Sequence, residues 1–314
     1  MAFTRIDCQH TLAGLRLQEC RTAAPEAFIG WGDPDLKGKN TWQVSGPTTC
    51  PTAHYRGSGS PSEFNIRHPK SVSQSHANVD RGVLADISKV RDLPPLPDSA
   101  QELQCVAKSL MAPPSAIHLG PNATETAVKL AQLDRYRTVM FATHGLLAGE
   151  VQQLAQVGAE PALVLTPPDR PTETDDGLLT ASEIAALKLK ADLVILSACN
   201  TAAGDAENSE ELSGLARSFF YAGAHALLVS HWAVDSWSAT TLITSAIAEL
   251  ACNPSIGRAE ALRRSMVAYI EDPDQGSAQP TYWAPFFVVG EGSGFCNSKG
   301  DKNEVKTISS CSMH

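Results

Sequence analysis

Residues 192–199 read DLVILSAC, a nearly uninterrupted apolar run that ends in a cysteine. A run of four branched aliphatic residues favours a β-strand that is covered on both faces, as in a parallel sheet with helices on either side. A second run, TVMFATHG at residues 138–145, has the same apolar character and ends in a histidine and a glycine. These two segments decide the expected fold, because both require a sheet whose two faces are buried.

Short apolar runs alternate with amphipathic ones along the rest of the chain. Further strands are predicted at residues 27–31, 116–119, 162–166, 177–179, 226–230 and 286–289, and helices at residues 98–111, 122–133, 182–189, 209–221, 236–250 and 255–270. This alternation indicates an α/β fold with a mostly parallel central sheet flanked by helices. In such sheets the functional site lies at the carboxyl ends of the strands.

The net charge and the lengths of the apolar runs exclude two kinds of partner. The chain has 314 residues, with 25 Lys and Arg against 34 Asp and Glu, for a formal net charge of −9. A nucleic-acid-binding protein would show a basic stripe, so no nucleic-acid partner is expected. No apolar run reaches the roughly 18 residues of a membrane-spanning helix, so no membrane partner is expected either.

The domain organisation follows from local composition. Residues 37–80 are rich in Gly, Ser, Pro, Thr and His, and residues 292–314 are polar without a hydrophobic period. Such segments bury too little apolar surface to order themselves. We therefore predict one domain at residues 25–291 with a flexible insertion at about residues 37–80, followed by a disordered tail at residues 292–314.

The cysteines are scattered. Eight of them lie at positions 8, 20, 50, 105, 199, 252, 296 and 311, and no two form a C-x-x-C pair. This number is too small for a disulfide scaffold of this length, and the spacing predicts no metal site. We expect reduced thiols and a cytoplasmic location, with Cys199 as the one cysteine at a position of chemical interest.

His144 and Cys199 end two predicted strands, 55 positions apart. If these strands are neighbours, a strand spacing of about 4.8 Å brings the two side chains to the same edge of the sheet. A thiol beside an imidazole is the smallest set of side chains that can carry out covalent acyl transfer, with the thiol as nucleophile and the imidazole as base. Each residue also has a plain structural explanation, since cysteines at strand ends are commonly buried apolar residues and histidines are commonly hydrogen-bonded structural ones.

Several motifs occur in a fixed order along the chain. They are FIGWGDP at 28–34, FATHG at 141–145, DGLLTASEI at 176–184, LSACNTAAG at 196–204, HWAVD at 231–235 and YWAPFFVVGE at 282–291. In this order and spacing the chain resembles a CHAT domain, the caspase-like cysteine peptidase domain that is often found beside tetratricopeptide (TPR) repeats in bacteria. The caspase signature likewise places its histidine about 50 residues before an Ala-Cys pair.

The resemblance implies a caspase-like sandwich and a catalytic dyad of His144 and Cys199. It also implies an oxyanion hole formed by the backbone N–H groups of Gly145 and Cys199, without a cofactor or a metal. A glycine after the histidine lets the backbone approach a substrate carbonyl. The expected function is a cysteine endopeptidase acting on a peptide or protein substrate, regulated by a partner or sensor module such as a TPR-containing protein.

Three further residues are candidates for a substrate pocket. Asp176 lies between the two dyad residues along the chain, and Trp232 and Asp235 follow the predicted strand at 226–230. Acidic pockets bind basic side chains in more distant relatives of this fold. For Asp176 the alternative is a turn acid before a helix, and for Trp232 the alternative is core packing.

An alternative to the peptidase is a function without catalysis. The chain could be a catalytically silent caspase-like module that binds protein partners as a regulator or scaffold. The presence of both His144 and Cys199 favours the enzyme, because a scaffold needs neither. Since family members usually carry a sensor region upstream, we also expect a fragment of a longer protein, or a short member that depends on a separate partner.

Overall fold

The computed structural model describes residues 24–38, 42, 50, 87–155, 160–198, 214–232, 235–253, 255–272 and 279–292. Cys199 lies outside the described residues, and so do most of the predicted insertion at residues 37–80 and the predicted tail from residue 293 onwards. The predictions for the tail and for the flexibility of the insertion remain untested.

Nine strands lie within the described residues. They are β1 (Glu26–Pro34), β2 (Ile117–Gly120), β3 (Tyr136–Ala142), β4 (Gly145–Leu146), β5 (Ala162–Val164), β6 (Leu178–Thr180), β7 (Leu193–Ser197), β8 (Ala226–Ser230) and β9 (Phe286–Gly290). The central sheet has the order β2-β1-β3-β7-β8-β9 and is parallel except for the antiparallel β8–β9 pair. The mixed α/β architecture and its mostly parallel sheet confirm the predicted fold class.

Helices connect the strands of the described part of the chain. They are α1 (Ile87–Val90), α2 (Pro97–Ser109), α3 (Glu125–Leu130), α4 (Ala148–Ala155), α5 (Ala181–Ala186), α6 (Gly214–Ala222), α7 (Ser236–Cys252), α8 (Arg258–Glu271) and α9 (Pro280–Trp283). Among the residues that the structure describes, no helix is long and apolar enough to cross a membrane.

Both faces of the central sheet are buried because successive side chains of a strand point to opposite faces. Along β3, Val139 and Phe141 pack in one apolar cluster, which also contains Phe219 of α6. Met140 packs in a second cluster, which contains Leu103 of α2. The continuous apolar strands of the sequence are therefore covered by helices on both sides, as predicted.

Helix α2 lies very close to β1. A Cβ atom added to Gly30 or Gly32 would stand 2.5 Å from a methyl group of Leu103, and one added to Gly32 would also stand 2.7 Å from the carbonyl oxygen of Ala142. Since real Cβ atoms do not approach other atoms so closely, the two glycines allow α2 to pack directly on the sheet. This contact holds α2 beside the carboxyl ends of β1 and β3.

A small second sheet differs from the expectation of a single sheet. β4, β5 and β6 form an antiparallel sheet in the order β4-β5-β6. Strands are predicted at residues 162–166 and 177–179, but the two-residue strand β4 is too short to produce a periodic pattern in the sequence. This sheet follows β3 directly and so lies next to His144.

The expectation of reduced cysteines is wrong for three of them. Cys50 and Cys105 form a disulfide with their Cα atoms 5.4 Å apart, and Cys252 is disulfide-bonded as well. No local pattern indicates the Cys50–Cys105 pairing, because the fold alone brings together two residues 55 positions apart. Disulfides persist mainly in oxidising compartments. The cytoplasmic location remains a prediction.

Candidate functional site

The carboxyl edge of the central sheet carries the candidate site. β3 and β7 are neighbouring parallel strands, and Ala142 at the end of β3 is paired with Ser197 at the end of β7. The two strands are therefore adjacent, as an approach of His144 to Cys199 requires. His144 lies two positions after Ala142 in the chain, and Cys199 lies two positions after Ser197. Cys199 itself lies outside the described residues.

The backbone around His144 is held by the small sheet. The carbonyl oxygen of His144 accepts a hydrogen bond from the N–H of Val164 at 2.9 Å. The neighbouring hydroxyl of Thr143 donates to the carbonyl oxygen of Val164. Gly145 is buried in β4 and paired with Leu163 of β5. The chain therefore leaves β3 along a defined path, which sets the direction of the imidazole ring.

The imidazole of His144 has one defined partner. Its Nε2–H donates to the carbonyl oxygen of Pro94 at 2.8 Å, because a carbonyl can only accept. In the neutral ring the proton is then on Nε2, and Nδ1 carries the free lone pair. Burial lowers the pKa of His144 below its ordinary value, although the bond to Pro94 opposes this shift. The neutral ring is thus the prevailing form near pH 7, as a general base requires.

A pocket of about 190 Å³ opens beside His144. This is below the roughly 300 Å³ of a typical small-molecule site, so the pocket has room for a single side chain rather than for a whole ligand. Its walls come from the start of α2, the ends of β3, β7 and β8, and the start of α7. The lining includes Asp98, Glu102, His144, Ser197, Ala198 and Ser236.

Glu102 is a residue of this pocket that is absent from the sequence-based candidates. Its side chain is only 3% exposed, and its Oε2 accepts a hydrogen bond from the Ser197 hydroxyl at 2.9 Å. Its Oε1 is buried and has no hydrogen-bond partner among the described residues. Burial raises the pKa of Glu102 to about 8, against the smaller opposing effect of Ser197. The sequence contains an indication of this burial, since Glu102 lies one helical turn before Val106 on the apolar face of α2.

Asp176 does not line this pocket. It lies in the turn before β6, where its N–H donates to Oε2 of Glu125 at 2.9 Å and its Oδ1 accepts from the N–H of Leu178 at 3.0 Å. Burial raises its pKa above the usual range of an aspartate, and the bond from Leu178 opposes that shift. These contacts give Asp176 a local role in the turn, and a role in substrate binding remains a prediction.

Asp235 and Trp232 lie beyond the end of β8. Asp235 caps α7, since its Oδ2 accepts from the N–H of Ser238 at 3.0 Å. Trp232 is 37% exposed, and its Nε1–H donates to the carbonyl oxygen of Thr281 at 3.3 Å. Neither residue lines the pocket, although Ser236, next to Asp235, does. Their predicted part in substrate binding is untested.

Metal binding has no candidate in the described part of the chain, where no three His, Cys, Asp or Glu side chains form a group that could hold an ion.

Comparison with protein-family models matches most of the chain to a known family. The family model of the CHAT domain matches residues 47–291. No curated protein matches the chain. The match includes β2 to β9 and ends directly after β9, whereas β1 precedes it in the chain and is hydrogen-bonded between β2 and β3.

Proposed function

This chain belongs to the CHAT domain family, and we propose on that basis that it is a cysteine endopeptidase with His144 and Cys199 as its catalytic dyad. The family is caspase-like, and the sheet described above is consistent with a caspase-like fold. The proposed substrate is a peptide or a protein.

In the proposed mechanism, the sulfur of Cys199 attacks the carbonyl carbon of the scissile peptide bond. Nδ1 of His144 takes the thiol proton and later delivers it to the leaving amine, and water then hydrolyses the thioester. The backbone N–H groups of Gly145 and Cys199 hold the oxyanion. Removing one such donor costs about 3 kcal/mol of barrier in well-studied hydrolases.

The observation that carries the proposal is the register of β3 and β7. Ala142 and Ser197 are paired across neighbouring strands, which lie about 4.8 Å apart, and His144 and Cys199 follow at equal distances along the chain. The bond of His144 to Pro94 adds support, because it leaves a neutral ring with an unprotonated Nδ1. An orienting partner on the far nitrogen is what a catalytic imidazole needs.

The test uses three variants of the full chain. Cys199→Ala and His144→Ala are assayed on a peptide library against the parent, with His231→Ala as the control. His231 is exposed and stacks on Phe287 at 4.2 Å, outside the pocket. We expect both dyad variants to lose cleavage by at least about a thousandfold and the control to keep it. Cleavage by both dyad variants at the parent rate would show that the dyad is wrong.

A second readout separates the enzyme from the silent module. The chain is treated with a peptide electrophile that reacts with thiols, and the labelled cysteine is identified by mass spectrometry. Labelling confined to Cys199 and lost in His144→Ala supports the enzyme. Equal labelling of Cys199 in both proteins, together with no cleavage of the library, supports a binding module instead.

Regulation by a partner is the remaining part of the proposal. CHAT domains are often linked to protein-interaction modules, and a TPR-containing protein is the partner expected from the resemblance. The purified chain alone should then cleave slowly, and adding the partner should raise kcat/KM. Full activity of the isolated chain, unchanged by any partner, would contradict this part.

A further inference from the structure

We propose that Ser230 is a positioning residue for the reaction, because its hydroxyl fixes the peptide unit that carries the N–H of Cys199. That N–H is one of the two donors of the proposed oxyanion hole, so this inference rests on the proposed peptidase function. It adds to the site a residue outside the dyad, on a third strand of the central sheet.

Ser230 is the last residue of β8, and it holds the carbonyl group of Ala198. Its side chain is only 1% exposed, and its hydroxyl donates to the carbonyl oxygen of Ala198 at 2.6 Å. The backbone ladder between β7 and β8 reaches the pair of Ile195 and Leu228. Beyond this pair, at the exit of β7, the Ser230 side chain supplies a contact between the two strands.

The direction of this hydrogen bond determines where the next N–H points. The carbonyl of Ala198 and the N–H of Cys199 belong to one peptide unit, which is planar and almost always trans. In a trans unit the C=O and N–H bonds point in opposite directions. β7 lies between β3 and β8 in the sheet. A carbonyl held from the β8 side therefore directs the N–H toward β3, the strand that leads to His144 and Gly145.

An oxyanion hole is effective when its donors are oriented before the reaction begins. A peptide N–H that first has to turn toward the developing negative charge loses part of its stabilising effect to this reorganisation. A hydrogen bond to the carbonyl also polarises the peptide unit and so strengthens the hydrogen bond that its N–H donates. The Ser230 hydroxyl supplies both effects through the peptide unit that joins Ala198 to Cys199.

The residue before Ala198 is held by a different element. The hydroxyl of Ser197 donates to Oε2 of Glu102 in α2 at 2.9 Å. Two consecutive residues at the exit of β7 are therefore tied to α2 and to β8 by separate hydrogen bonds. Because the tie to α2 does not involve Ser230, loss of the Ser230 hydroxyl should reorient the following peptide unit without releasing the strand.

The experiment compares Ser230→Ala with the parent chain and uses Ser265→Ala as the matched control. Ser265 is also buried, and its hydroxyl donates to the carbonyl oxygen of Leu242 at 2.7 Å, away from the residues that line the pocket. Removing an oxyanion-hole donor outright costs about 100–1000-fold in kcat, so for Ser230→Ala we expect a fall of at least about tenfold, with KM changed by less than about threefold. Ser265→Ala should keep both constants.

Two reagents separate the orientation of the N–H from damage to the dyad. The Cys199 sulfur adds to the carbonyl carbon of a peptide aldehyde, and the oxygen of the resulting hemithioacetal occupies the oxyanion hole. Iodoacetamide is instead attacked at its CH₂ carbon with loss of iodide, and no oxyanion forms. In Ser230→Ala we expect aldehyde inhibition to weaken at least about tenfold and alkylation of Cys199, followed by mass spectrometry, to change less than about threefold.

Unchanged kcat and unchanged aldehyde inhibition in a folded Ser230→Ala would overturn the inference. Equal losses of aldehyde inhibition and of alkylation would overturn it too, because they would indicate general damage to the site. If Ser230→Ala does not fold, Ser230→Cys replaces it, since a thiol of similar size donates only weakly. A fall in kcat with an unchanged KM then supports the role, and an unchanged kcat overturns it.

Failure of the proposed function gives a different result. A parent chain that cleaves no peptide, and whose Cys199 is alkylated equally fast in His144→Ala, would overturn the peptidase and the role of Ser230 together. A parent chain that cleaves peptides through the dyad, with Ser230→Ala equally active, would overturn the role of Ser230 alone.

Discussion

The Nε2–H of His144 donates a hydrogen bond to the carbonyl oxygen of Pro94, 50 positions earlier in the chain. Pro94 precedes α2, and His144 follows β3, so this bond ties the entrance of the helix to the carboxyl edge of the sheet. A backbone carbonyl cannot ionise or be removed by side-chain substitution. The orientation and tautomer of the ring are therefore determined by the fold.

Cleavage should persist in mildly acidic solution. Burial lowers the pKa of His144 below 6.5, so the ring keeps its basic form down to lower pH than a free histidine does. The other titratable groups among the described residues of the pocket are Asp98 and Glu102. The measurement is kcat/KM against pH with a substrate that has no titratable group near the scissile bond. We expect the acid limb to have its midpoint below 6.5, and a midpoint at or above 6.5 would contradict the neutral buried ring.

Glu102 should make the folded protein less stable as the pH rises. Its pKa is about 8 in the folded protein, against 4.5 for an ordinary glutamate, so between these values the folded state binds more protons than the unfolded state. The free energy of unfolding then falls as the pH rises through this window and levels off above about 8.

The test of this pH dependence is urea unfolding of the wild type and Glu102→Gln at pH 5 and pH 9. We expect the variant to lose less stability between the two pH values, because it has no proton to lose. Glu26→Gln serves as the control and should follow the wild type, because Glu26 is a half-exposed carboxylate at the start of β1. Parallel curves for the wild type and Glu102→Gln would rule out a strongly raised pKa.

Glu125 should be important for stability. It is 1% exposed, and its Oε2 accepts from the N–H groups of Asp176 and Gly177 at 2.9 and 3.1 Å, while its Oε1 accepts from Lys129. Glu125→Ala removes the acceptor of two backbone donors and should cost about 2–5 kcal/mol in the free energy of unfolding.

The comparison for this prediction is Glu260→Ala. Glu260 pairs with Arg263 and Arg264 on the exposed face of α8, where solvent screens the interaction, so its loss should be much smaller. Chemical denaturation of both variants measures the difference. Equal losses would mean that the contacts of Glu125 add little.

The disulfide between Cys50 and Cys105 should stabilise the chain by restricting the unfolded state. The two residues are 55 positions apart, and closing a loop of this size typically contributes about 2–4 kcal/mol. Cys50→Ser should lower the midpoint of thermal unfolding under oxidising conditions. Cys50→Ser added to Cys105→Ala should cause little further loss, because either change already opens the bond. Additive losses, or a free Cys105 thiol in the untreated protein, would contradict the pairing.

The larger part of the fold is predictable from the sequence. The apolar runs at β3, β7 and β8 are continuous because both faces of these strands are covered, and this leaves a strong pattern. The apolar period of α2 places that helix within a few residues of its observed bounds. Strand β4 and helix α1 are not predicted, since two and four residues are too few to form a period. The predicted helix at 122–133 is shorter in the structure, where α3 spans Glu125–Leu130.

The candidate site is predictable only in part. The adjacency expected for the strands before His144 and Cys199 is present in the structure. Asp176 is a sequence-based candidate for the pocket because it lies between these residues in the chain, yet its N–H is hydrogen-bonded to Glu125 in a separate turn. Glu102 is not such a candidate, although it lies one helical turn before Val106 on the apolar face of α2. A glutamate in an amphipathic helix is normally exposed, and only the packing of α2 on the sheet shows that this one is buried.

The sequence by itself determined the α/β class, the family and the order of the strands that carry His144 and Cys199, because these depend on local hydrophobic patterns and on ordered motifs. Only the tertiary structure decided the partner of His144, the burial of Glu102 and the pairing of Cys50 with Cys105. Each of these joins residues at least 50 positions apart in sequence or depends on how closely α2 packs on the sheet. Such contacts arise from the three-dimensional packing of the elements, which local sequence patterns do not encode.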